Sequence, residues 1–177
     1  MLFHKQKQPQ KILLLQLKNH IFSSFENFCK DILEDRNYKV GIISTIDPIK
    51  KIALTLGWNG VKDAKGRKFL SDLKDALEDY CDFSYNYIKD IVESAEYDVI
   101  FVDAREPKQI ERFCSELGAQ SIIVKRPTTE VVEYSNHADI EVENYIYDII
   151  IYNSTTLEGL NTQAATLLRN YKMKESD

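Results

Sequence analysis

Residues 97–103 read YDVIFVD, with four consecutive apolar side chains, Val99, Ile100, Phe101 and Val102, set between Asp98 and Asp103. A strand with one wet face alternates apolar and polar residues, so a run apolar on both faces predicts a strand covered on both sides, as in a parallel sheet. Outward from it, residues 11–16 (KILLLQ), 39–44 (KVGIIS), 121–125 and 147–152 read as further strands. Amphipathic stretches separate them. In residues 22–35, Phe22, Phe25, Phe28, Cys29, Ile32 and Leu33 recur at spacings of three and four, the period of a helix with one buried face. Residues 47–56, 68–79, 83–94, 107–117 and 156–171 read as helices too, with Asp47 and Pro48 as N-cap and first helical residue and Gly57 and Gly118 as stops. The loop 57–67 carries three of the six glycines. Strands joined through helices of this length need crossover connections, so the expected fold is a three-layer α/β domain, about five mainly parallel strands with helices on both faces.

The chain of 177 residues, 44% hydrophobic and 29% charged, suits one domain over residues 11–171 with tails at 1–10 and 172–177. Cys29, Cys81 and Cys114 are far apart and form no CxxC pair, which argues against a disulfide framework or zinc knuckle and for a reducing cytoplasm. The net charge of −5 has the wrong sign for gripping nucleic-acid phosphates. No apolar run approaches the roughly 20 residues that span a bilayer, and the polar start lacks the apolar core of a secretory signal. The aromatic group Tyr80, Phe83, Tyr85 and Tyr87 is interleaved with Asp79, Asp82 and Asp90 rather than lysines, which fits a core helix edge or a protein-binding face.

In parallel α/β sheets ligands sit at the carboxyl ends of the strands, here residues 16–24, 44–48, 103–107 and 126 onward. The segments 97–127, 135–141 (SNHADIE) and 147–160 resemble the second half of phage and bacterial deoxynucleoside monophosphate kinases, and residues 47–73 resemble that family's acceptor-nucleotide region. The resemblance extends over about residues 11–168. It implies a P-loop kinase fold with a lid-like segment at 126–143, in the cytoplasm (of a host, or with a virion, if the chain is viral). It further implies substrate-binding roles for Asp47, Trp58, Lys62, Arg67, Asp103, Arg105, Arg126 and His137. Five of these, Trp58, Asp103, Arg105, Arg126 and His137, have a structural alternative. Asp103 would cap the following helix and Arg105 would pair with Glu106 or Glu111, while Trp58 would anchor a turn. His137 would be a surface residue, since Ala138 and Asp139 stand where the family has Ser and Glu.

The family's phosphate loop, GxxxxGK[ST], uses glycines so that backbone N–H groups can approach phosphates, with Lys and the hydroxyl holding the γ-phosphate. If Ser24 takes the hydroxyl's place, Leu17 and Phe22 replace the glycines and Ser23 replaces the Lys; Lys18 has the wrong spacing. Ile21 and Phe22 put bulk at the mouth of the site, where they would plug it or dock a partner. The favoured reading is therefore a kinase-like protein without phosphoryl transfer, an interaction or structural module that binds a protein partner or itself, with weak dNMP or phosphate binding and no cofactor. The alternative is an active dNMP kinase using ATP and Mg²⁺. A nucleic-acid accessory comes third.

Overall fold

The apolar run at residues 99–102 forms the strand it predicts. In the computed structural model, which describes residues 11–17, 22–125, 145–153 and 156–170, β1 is Lys11–Leu17, β2 Val40–Ser44, β3 Val99–Asp103, β4 Gln120–Lys125 and β5 Ile149–Tyr152. The helices are α1 Phe22–Glu34, α2 Asp47–Thr55, α3 Ala64–Cys81, α4 Phe83–Ser94, α5 Pro107–Leu117 and α6 Leu157–Asn170. The strand order is β2-β3-β1-β4-β5, and β1 pairs in parallel with β3 and β4, as β4 does with β5. Leu15 lies opposite both Asp103 and Ile122. The chain thus fills one side of β1 before crossing to the other, and the strand order reverses at the carboxyl end of β1, the place where such sheets bind ligands.

The described chain divides into two compact units, residues 1–42 with 97–177, and residues 43–96. In the first, alternation along the strands separates two buried faces. Val99, Phe101, Ile122 and Ile151 meet Phe25, Cys29 and Leu33 of α1 and Leu160, Ala164 and Leu168 of α6 in one core. Ile100, Val102 and Ile123 point the other way and are also buried, as are Ile110 and Phe113 of α5, the helix packed against β1 and β4. Helices therefore cover both faces, as the double-sided apolar run requires.

Two Tyr-Asp pairs fix the register. Asp98 Oδ2 accepts from Lys39 N at 2.7 Å while Lys39 O accepts from Asp98 N at 2.8 Å, tying the start of β3 to the approach to β2. Asp148 Oδ2 accepts from Ser121 N and Oγ, both at 2.8 Å, and Ser121 Oγ accepts from Asp148 N at 3.0 Å, tying β5 to β4. The same dipeptide precedes both strands, so the apolar run that follows each aspartate enters the sheet in a set phase.

In the second unit α2 packs on α3 and α3 on α4, with Ile49, Ala53, Leu70, Tyr85 and Ile88 buried. Two expectations change here. Asp47 is the first helical residue and not the N-cap: Ile46 holds that place, already helical at φ −84 and ψ −15, and Asp47 Oδ1 instead accepts from Lys50 Nζ at 2.7 Å. Its charge still favours the helix from the first turn. Helix α3 starts at Ala64, four residues before the predicted 68, because Asp63 caps it by accepting from Gly66 N at 2.7 Å. The aromatic group divides: Tyr85 is core, Phe83 and Tyr87 stack with centroids 6.5 Å apart, and Tyr80 is 88% exposed.

Candidate functional site

Helix α1 begins at Phe22, inside the stretch 17–24 where the phosphate loop is expected, and Glu26 lies one turn into it. Glu26 is only 7% exposed, and its Oε1 has no hydrogen-bond partner among the described residues. Asp103, the last residue of β3, faces it electrostatically. Burial first, and the Asp103 charge second, raise the Glu26 carboxyl from 4.5 to about 7. One turn further along α1, burial and then the Glu26 charge push the Cys29 thiol up to about 12, so it stays a thiol. The start of α1 and the end of β3 thus hold two carboxyl groups, and that of Glu26 gives up its proton less readily than an ordinary carboxylic acid.

After Asp103 the chain turns inward at Ala104, fully buried, and outward at Arg105, which is exposed. Glu106 is the N-cap of α5 at φ −105 and ψ 123, with Pro107 first in the helix. The N-cap position thus belongs to Glu106 and not to Asp103, three residues earlier. At the end of β5, Asn153 is 3% exposed and donates its N–H to Lys125 O at 2.8 Å, while its Oδ1 has no partner among the described residues. Gln163 Nε2 of α6 donates to Tyr152 O at 2.8 Å and holds the same strand end.

In the second unit Trp58 and Lys62 lie on the loop before α3 and Arg67 in that helix's first turn. Trp58 Nε1 donates to Val61 O at 3.1 Å, Val61 N to Asn59 Oδ1 at 3.0 Å, and Arg67 Nε to Lys62 O at 2.9 Å. Gly66 allows the closure: a Cβ there would lie 2.1 Å from Val61 O and 2.9 Å from Trp58 Nε1. The indole edge of Trp58 therefore anchors the loop, while Lys62 and Arg67 are exposed. Asp47 is engaged with Lys50.

Of the other sequence candidates, Lys18, Ile21, Arg126 and His137 lie outside the described residues, as does the lid-like segment at 126–143. Leu17 ends β1 and Phe22 and Ser23 open α1; Ser24 is half-buried in its first turn. Glu26 is the residue that sequence reasoning passed over. The signal was a carboxylate inside an apolar stripe, four residues after Phe22, three before Cys29 and seven before Leu33. Among the described residues no group of three or more His, Cys, Asp or Glu is placed to hold a metal ion, and no helix is long and apolar enough to cross a membrane.

The architecture has a counterpart among solved structures. Shikimate kinase from Aquifex aeolicus vf5 superposes with a TM-score of 0.52 at 11% identity, over 93% of this chain and 99% of that one. At that identity the likeness speaks for the fold alone, which is of the P-loop kinase type. Neither a protein-family model nor a curated protein sequence matches the chain.

Proposed function

We propose that this chain is a nucleotide-kinase-like module that has lost phosphoryl transfer and serves as an interaction or structural module, with residual binding of phosphate or a dNMP. The observation that carries this reading is Glu26, buried one turn into α1 and facing Asp103. At the place where this fold brings a helix N-terminus and a lysine to a polyphosphate, the chain sets two carboxyl groups and has Ser23 in the lysine's position. The buried Glu26 carboxyl and the missing lysine leave these residues short of the cation that holds the γ-phosphate of ATP. The cation they lack is a source of transition-state stabilisation worth several kcal/mol in such sites, on the order of 3.

Arg105, exposed beside the strand ends, is the group we assign to residual anion binding, and a guanidinium suits a phosphate through two parallel hydrogen bonds. Exposed apolar side chains, Leu54, Leu56 and Val61 in one unit and Ile146, Ile150 and Tyr152 in the other, supply faces for a protein partner or a second copy. The three free thiols accord with a cytoplasmic setting. The second reading, an active dNMP kinase, draws support from the bond by which Arg67, in the first turn of α3, holds the Lys62 carbonyl of the preceding loop. Calorimetric titration separates the two. The first reading expects weak heats for phosphate or a dNMP, reduced in Arg105→Ala, and none for Mg²⁺·ATP. A saturable Mg²⁺·ATP isotherm overturns it.

A further inference from the structure

We infer that the exposed face of α3 docks the same face of a second copy of this chain, the two helices running antiparallel about a two-fold axis. The inference rests on the interaction-module reading above and names its surface and its partner. Lys65, Lys68, Asp72, Asp75 and Asp79 recur at spacings of three and four, so they form one stripe along the helix. All five are exposed. The opposite stripe, Gly66, Leu70, Leu73 and Leu77, is buried or half-buried in the unit where α3 packs on α2 and α4. The charged stripe thus lies on the side of α3 away from both helices.

Its charges are sorted along the helix, and in the unfavourable order. A helix carries partial positive charge at its N-terminus and partial negative charge at its C-terminus, which favours acids in the first turn and bases in the last. Apart from the capping Asp63, α3 has neither: Lys65, Arg67 and Lys68 crowd its start, and Asp75, Glu78 and Asp79 its end. Lys68 meets Asp72 within the helix at 2.7 Å, and Lys74 is within electrostatic reach of Glu78 and Asp75. Among the described residues Lys65 and Asp79 are in no ion pair. An antiparallel copy supplies what the single helix lacks. With the axis beside Ser71 and Asp72, Lys65 stands opposite Asp79 and Lys68 opposite Asp75, each pair occurring twice as two-fold symmetry requires. Asp72, nearest the axis, is already partly neutralised by Lys68, and Ser71 beside it is small enough to let the helices approach. The face is its own electrostatic complement, and pairing also sets the two macrodipoles antiparallel.

The contact is polar, so salt governs it. At about 0.15 M salt the screening length is about 8 Å, which damps repulsion between two chains of net charge −5 yet keeps pairs at contact; at about 1 M it is about 3 Å and the pairs weaken. Sedimentation equilibrium of the full chain is expected to show monomer and dimer at the lower salt, with affinity lower by about tenfold or more at the higher. Lys65→Glu with Lys68→Glu makes the stripe acidic throughout, and Asp75→Lys with Asp79→Lys makes it mostly basic. Both changes follow the helix macrodipole, so both variants remain folded, which circular dichroism checks. Each alone is expected to sediment as a monomer, and an equimolar mixture to recover the dimer, because each stripe then meets its opposite. A parent monomeric in every condition, self-association undiminished in both variants, or a mixture that stays monomeric overturns the pairing. The loss of phosphoryl transfer is untouched by these outcomes and falls only to a saturable Mg²⁺·ATP isotherm.

Discussion

Gly66→Ala reverses the sign normally expected of its substitution class. In a helix interior, replacing Gly by Ala gains about 1 kcal/mol, and Gly66 lies in the first turn of α3. Here the new Cβ would lie 2.1 Å from Val61 O, a backbone atom, and 2.9 Å from Trp58 Nε1. To reach ordinary contact the 58–63 loop must retreat by about 1 Å, the scale on which overpacking costs about 1–3 kcal/mol. That retreat also strains the Trp58 Nε1 to Val61 O bond of 3.1 Å and the Asp63 cap on Gly66 N at 2.7 Å, each worth about 1 kcal/mol. The clash and the two bonds outweigh the propensity gain, leaving a net loss of about 1–3 kcal/mol. Trp58 is the single tryptophan, so urea unfolding followed by its fluorescence reads the loop directly. The Ala variant should unfold at lower urea, with native emission shifted to the red as the indole loses its anchor. Equal or greater stability with an unshifted spectrum would refute the loop geometry.

Thiol labelling of the native chain should find Cys81, exposed, reacting first, and Cys29, buried with its thiol pushed up to about 12, reacting only on unfolding. Asp148→Ala should cost about 1–3 kcal/mol in denaturant, because it leaves the buried Ser121 N and Oγ without their acceptor; an unchanged midpoint would mean that the Tyr-Asp clamp does not fix β5.

The strands were legible wherever burial on two sides writes itself into composition, as in Val99 to Val102, and the helices wherever one apolar face repeats, as in Phe25, Cys29 and Leu33. The order β2-β3-β1-β4-β5 leaves no periodic mark, since it depends on which strands meet after each crossover. The start of α3 was misplaced because Gly66 reads as loop in isolation; only Asp63, by taking its N–H, makes that glycine helical. Asp47 was misassigned for the converse reason: it is a residue type that caps helices, but Ile46 already has helical torsions. In the candidate site Asp103 and Arg105 stood out through their place after the central strand. Glu26 did not, because its chemistry arises first from burial and then from Asp103, which is remote in sequence, and both come only with the packing of α1 on the sheet.

The central claim, a P-loop kinase fold without phosphoryl transfer, is tested most directly by ADP formation from Mg²⁺·ATP with each of the four common dNMPs, at high protein concentration and near neutral pH. No dNMP-dependent ADP above the protein-free blank is predicted. Turnover that requires a particular dNMP and vanishes when the protein is heat-denatured would contradict it, and would establish that Leu17, Phe22 and Ser23 leave a working phosphate loop.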